Sequence, residues 1–204
     1  MITAESIASI DKNDLEKASG ELRREDISQL VDWLTLKDDT VRYQSFLLLQ
    51  YRSRRFDDVY PYWDVFADKL KNENSYQRTI GLVLMAENAK WDKAGKLDKC
   101  LDTYLELIYD AKPITARQCI QSLEKIAAVK PDLTGKIAEN LISFDLMSVR
   151  DSMRKLILID ILNVLIAIRK EHSLDGIDSF VLSALSGDIL DNKAKKQFKS
   201  LIGV

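Results

Sequence analysis

The feature that most restricts the fold of this chain is a pattern that returns four times: a short polar lead-in, an arginine, then an apolar stretch of helical length. It reads Asp38-Asp39-Thr40-Val41-Arg42, Asn74-Ser75-Tyr76-Gln77-Arg78, Pro113-Ile114-Thr115-Ala116-Arg117 and Asp145-Leu146-Met147-Ser148-Val149-Arg150. The arginines stand 36, 39 and 33 residues apart, within the period range of repeated helix pairs. A unit of that size cannot bury its apolar face alone and must stack on the next one. The expectation is therefore an all-α chain, a short α-solenoid of about four helix pairs.

Seven Gly and three Pro in 204 residues agree with long uninterrupted helices, because both residues break them. A chain of this length holds a sizeable core as one continuous domain. Residues 1–35 read as an N-terminal helical cap, 36–172 as the repeats and 173–204 as a C-terminal helical cap. In the first cap Asp11 suits the N-cap of a short helix through Ala18 that Gly20 ends, and Ile27, Leu30, Val31 and Leu34 follow at helical spacing. In the repeats Val59, Trp63, Phe66 and Leu70 make one apolar stripe, and Leu97, Leu101, Tyr104, Leu105 and Ile108 another. The fourth unit opens with Ser148-Val149-Arg150-Asp151, close to a capping box. Its helix to Glu171 is apolar nearly all round at its centre, which predicts neighbours on several sides. After Asp175-Gly176, Lys193, Lys195, Lys196 and Lys199 make the last helix polar on the outside, as a terminal cap requires.

The formal net charge is −2. A duplex-binding surface needs a basic face to displace counterions, so the balance argues against a nucleic-acid partner. The N-terminus lacks a basic region followed by an apolar one. The most apolar stretch, Leu156 to Ile168, is interrupted by Asp160 and Asn163 and falls short of the roughly 20 residues a membrane span needs. A cytoplasmic chain without membrane association is expected. Cys100 and Cys119 read as buried thiols, and His172 as a helix-end residue where a cation suits the dipole. There is no GxxxxGK[ST], GxGxxG or HExxH. No His/Cys group has metal-ligand spacing, and a His-based triad would have to run through His172. No catalytic residue, cofactor or metal is expected.

Asp38-Asp39-Thr40-Val41-Arg42 and Met147-Ser148-Val149-Arg150, with the helix-pair period, resemble HEAT-like repeats of the armadillo superfamily over residues 36–172. Tyr76-Gln77-Arg78 lacks the preceding Val. The resemblance implies a right-handed α-solenoid in which Arg42, Arg78, Arg117 and Arg150 bond between neighbouring repeats. It also implies a concave face, lined by the second helices, that binds a protein partner as a scaffold or adaptor. One branch of the superfamily departs from this: the alkylpurine DNA glycosylases, which hold a base in an aromatic cleft beside a catalytic Asp. Trp63-Asp64 and Trp91-Asp92 bring that alternative into view; it requires a basic surface facing DNA.

The candidate contact residues are acids on the second helices. Asp98, Asp102 and Glu106 repeat at i, i+4 and i+8; Asp64 and Asp68 do so one unit earlier, with Tyr60 a turn before. The apolar stripes lie opposite, so the acids face solvent, at a cost of a few tenths of a kcal/mol per like pair. One reading is a surface for a basic protein or peptide, with Tyr60 as an aromatic anchor. The other is a solvated face neutralised by Lys69, Lys71, Lys96 and Lys99. Arg52, Arg54 and Arg55 read as a phosphate or acidic-peptide site, or as loop charges offset by Asp57 and Asp58. A homo-oligomer is a further expectation to weigh; it calls for an exposed apolar patch at Phe180, Leu182 or Phe198.

Overall fold

The computed structural model describes residues 2–172, 174 and 176–203; Asp175, expected in the turn before the eleventh helix, lies outside them. Among the described residues there are twelve α-helices, five short 3₁₀ turns and no strand. The helices are α1 (Ala4–Ala8), α2 (Leu15–Glu21), α3 (Arg24–Trp33), α4 (Asp39–Ser53), α5 (Trp63–Lys69) and α6 (Ser75–Asn88). They continue with α7 (Lys96–Glu106), α8 (Pro113–Val129), α9 (Thr134–Ile142), α10 (Asp151–Glu171), α11 (Ile177–Ser186) and α12 (Asn192–Ile202). None is long and apolar enough to cross a membrane.

The lead-ins work as helix starts. Asp38 accepts hydrogen bonds from Thr40 N and Val41 N, and Asn74 from Tyr76 N, so both are side-chain N-caps. Pro113 opens α8, where its missing N–H costs nothing. The helices α4, α6, α8 and α10 begin at residues 39, 75, 113 and 151, which are 36, 38 and 38 apart. This is more even than the arginine spacing, and the fourth arginine is the reason. Asp145 caps the 3₁₀ turn Leu146–Ser148 rather than α10, so the long helix starts later than its lead-in suggests.

Arg42 and Arg78 fold back on their own lead-ins, donating to Leu36 O and Asn72 O, both at 2.7 Å. In the fourth copy Arg150 is instead an exposed N-cap without a side-chain cap bond. Arg154, one turn on, donates to Leu146 O and Val149 O. Two of the arginines also reach another helix: Arg42 lies 4.7 Å from the centre of the Tyr76 ring on α6, and Arg117 pairs with Asp160 on α10.

The chain divides into two compact units, Met1–Tyr104 and Leu105–Val204. In the first, α4 packs on α1, α2, α3 and α6, and α5 lies along α6. That last approach depends on Gly81: a Cβ there would sit 2.6 Å from Phe66 O and 3.1 Å from the Lys69 Cβ. The N-terminal helices differ from the sequence reading. Thr3 caps α1, Asp11 caps a turn at Asn13, and α2 runs through Gly20 instead of ending there.

In the second unit α8 packs on α9 and α10, and α10 also meets α11 and α12, the surroundings its apolar circumference demands. Asp160 is buried on α10 and accepts from Arg117 Nε at 2.6 Å, Arg117 Nη2 at 3.1 Å and Gln121 Nε2 at 2.9 Å. Phe198 is core rather than surface, because it shares the inner face of α12 with Ala194. Phe180 is half-buried, and Leu182 alone of the three is exposed. His172 follows α10 as its C-cap, as expected.

Candidate acidic face on α5 and α7

On α5, Trp63 and Phe66 point into the core with Val59 and Leu70 on either side; Asp64 and Asp68, on the remaining arc, are exposed. On α7, Leu97, Leu101 and Tyr104 are buried, and Asp98 and Asp102 are exposed. The helical period thus does what the pattern required: one arc of each helix fills the core and the other turns carboxylates to water. Glu106 is also exposed, but it ends α7 and belongs to the second unit.

A polar network joins the two helices. Asp92, 3% exposed, accepts from Lys96 N and Leu97 N at 2.9 Å and so holds the first turn of α7. Its Oδ1 also accepts from the Tyr60 hydroxyl at 2.7 Å. Gly95, at φ +64°, supplies the left-handed turn between Asp92 and α7. Lys96 Nζ lies 3.0 and 2.9 Å from the two carboxylate oxygens of Asp64 and 5.9 Å from the centre of the Tyr60 ring.

Tyr60 is half-buried, its ring 5.8 Å from that of Trp63. Burial, then the hydrogen bond to Asp92 and the nearby carboxylate charge, push its phenol up to about 12. Its ring, expected as an aromatic anchor, stands as a wall of this face with the hydroxyl committed to Asp92.

The expected neutralising lysines divide. Lys96 neutralises Asp64, and Lys71 and Lys99 are exposed. Lys69 turns inward, 6% exposed, and donates to Gln77 Oε1, whose amide donates to Leu34 O; burial lowers its pKa. One of the four cations assigned to this face is therefore absent from it.

The other candidates are used internally. Arg52 is buried, pairs with Asp58, donates to Ser19 O and Gly20 O, and lies over Phe56. Arg54 pairs with Glu87 and Arg55 with Glu16. Trp63 is core, Trp91 Nε1 donates to Ser53 O, and Asp92 is the buried helix support just described. Neither Trp-Asp pair presents an indole and a carboxylate together to solvent. Cys119 is buried and Cys100 half-buried; burial raises both thiols, which keeps them protonated and unreactive. Among the described residues no three or more His, Cys, Asp or Glu side chains come together in a way that could hold a metal ion.

Cavities lie elsewhere. One of about 510 Å³ opens beside the starts of α4 and α6, with Lys12, Arg42, Tyr43, Gln44 and Tyr76 in its lining. Arg42 there is already engaged by Leu36 O and Asp39. In the second unit a cavity of about 490 Å³ at the ends of α8 and α10 is lined by Glu124, Ala127, Ala167 and His172 among others. Neither brings a nucleophile and a base together.

Comparison with protein-family models and with curated proteins found no match. The function is therefore argued from the residues of this chain.

The sequence reading missed Asp92 as the hub of the network. The only local signal was an Asp followed by Gly95 just ahead of an amphipathic run. Its bond to Tyr60 spans 32 residues of chain and leaves no trace in helical periodicity.

Proposed function

We propose that this chain is a non-catalytic protein-binding module, a HEAT-like α-solenoid working in the cytoplasm as a scaffold or adaptor. Its contact surface is the acidic face of α5 and α7, and its partner presents a basic segment. One observation carries the reading: Asp64, Asp68, Asp98 and Asp102 all face solvent on two helices tied together at Asp92 and Lys96. The even starts of α4, α6, α8 and α10 support the repeat architecture. The internal use of Trp91, Asp92 and the three arginines supports a binding role over base excision.

Complementary charge across such a surface gives selectivity and fast association, and its contribution falls with salt. Titration of the chain with a fluorescent, acetyl-capped octalysine peptide at low and moderate salt tests the reading. Binding weakens with salt, and Asp98→Lys with Asp102→Lys weakens it by about tenfold or more, since like-charge juxtaposition costs more than the 1.4 kcal/mol that a factor of ten represents. Unchanged affinity in that variant contradicts the proposal.

A further inference from the structure

Lys96 occupies the position that a partner's cation would take on this face. Its ammonium is held by both oxygens of Asp64, at 3.0 and 2.9 Å, with the Tyr60 ring as a side wall 5.9 Å from the nitrogen. A carboxylate beside an aromatic ring is the chemistry that receives a lysine or arginine side chain. The ring is fixed independently of Lys96, by the bond from its hydroxyl to Asp92 and by its packing on Trp63. The lysine backbone is fixed too, because Lys96 N donates to Asp92. Only the long side chain has to swing for the subsite to open.

We propose that Asp64 and Tyr60 form the primary cation subsite of the acidic face, and that Lys96 is a tethered competitor that fills it when no partner is bound. This rests on the protein-binding reading above and adds a regulatory element to it. The physics of the contact suits a competitor. The Asp64 side chain is 78% exposed and that of Lys96 32%, so the pair is hydrated, screened by salt and cheap to open. An incoming cation exchanges one ammonium for another on the same carboxylate, and the displaced lysine returns to water. A subsite occupied in this way lowers apparent affinity by the fraction of time it is open. It also selects for partners with several cations, because only they gain enough at Asp68, Asp98 and Asp102 to evict the lysine.

Lys96→Met keeps a helix-forming residue at this position and removes the competitor. Octalysine binding to the full chain is then expected to tighten by about 1.5- to 5-fold, the range implied by the strength of exposed ion pairs. Lys99→Met removes the same charge from α7 without vacating Asp64, and so reports the general electrostatic gain. Asp64→Asn removes the subsite itself. The proposal requires that Lys96→Met gain more than Lys99→Met, and that this excess vanish in the Asp64→Asn background. Lys96→Gln, with its own helix content checked by circular dichroism, must reproduce the gain. Equal gains in the two lysine variants overturn the competitor while leaving the acidic face standing. Weaker binding in Lys96→Met also overturns it, by showing that the lysine supports the face. If wild type does not bind octalysine at all, or binds it independently of Asp98 and Asp102, the protein-binding reading falls and this inference with it.

Discussion

The same substitution, Gly to Ala in a helix, is expected to have opposite signs at two places in the first unit. Gly81 lies in α6 where α5 comes closest: an added methyl would sit 2.6 Å from Phe66 O, 3.1 Å from Lys69 Cβ and 3.3 Å from Leu70 Cδ2. The nearest of these is backbone, so relief requires α5 to move away as a body. That movement loosens the packing of Trp63, Phe66 and Leu70, all buried. Overpacking of this kind costs about 1–3 kcal/mol, against a gain of up to about 1 kcal/mol from better helix propensity. The net expectation for Gly81→Ala is a loss of about 1–2 kcal/mol. Gly20, in α2, has nothing within 4 Å of its Cβ position. Gly20→Ala gains only the reduced chain entropy, about 0.5 kcal/mol. Urea unfolding of the full chain, followed by circular dichroism, reads both. A rise in midpoint for Gly81→Ala would refute the close α5–α6 contact on which the placement of Asp64 and Asp68 depends.

Asp160→Ala removes the buried end of the Arg117 pair that ties α8 to α10. Because the Arg117 side chain is 30% exposed and regains water, the expected loss is about 2–3 kcal/mol rather than the full cost of stranding a buried charge. A loss below about 0.5 kcal/mol in denaturant unfolding would mark an ordinary surface pair. Tyr60 gives a pH prediction. Its folded phenol is raised to about 12 from the ordinary tyrosine value near 10, so the unfolded chain releases that proton first. Its contribution to stability is complete below about pH 10 and is lost as pH rises from there to about 12. Tyr60→Phe should shrink the alkaline fall in stability measured across that window, and an unchanged slope would contradict the Asp92 bond.

How much of this was legible in sequence follows from chain distance. The helix starts at Asp39 and Ser75 were visible because Asp38 and Asn74 cap within three residues. The outward arc of α5 and α7 was visible because a period of 3.6 separates Leu97 and Leu101 from Asp98 and Asp102. The start of α10 falls later than the near capping box at Ser148 suggests, because Ser148 ends the 3₁₀ turn capped by Asp145 and turns its hydroxyl back to Asp145 O, leaving Arg150 as the N-cap. Lys69 was assigned to the surface by its type, yet Gln77 and Leu34 O, eight residues and more away, give its ammonium a buried partner chain. The Tyr60–Asp92 bond and the Lys96–Asp64 pair each join residues 32 apart. Lys96 counts among the lysines expected to neutralise this face, but which carboxylate it meets, like the Tyr60–Asp92 bond, depends on how the helices pack.

The most direct test of the central claim is to titrate isotope-labelled protein with octalysine and follow backbone amide shifts by nuclear magnetic resonance. The account predicts the largest changes along α5 and α7, at Asp64, Asp68, Asp98 and Asp102, fading as salt is raised. Changes centred instead on the cavity at Tyr43 and Tyr76 or on α12, or none at all, would contradict it.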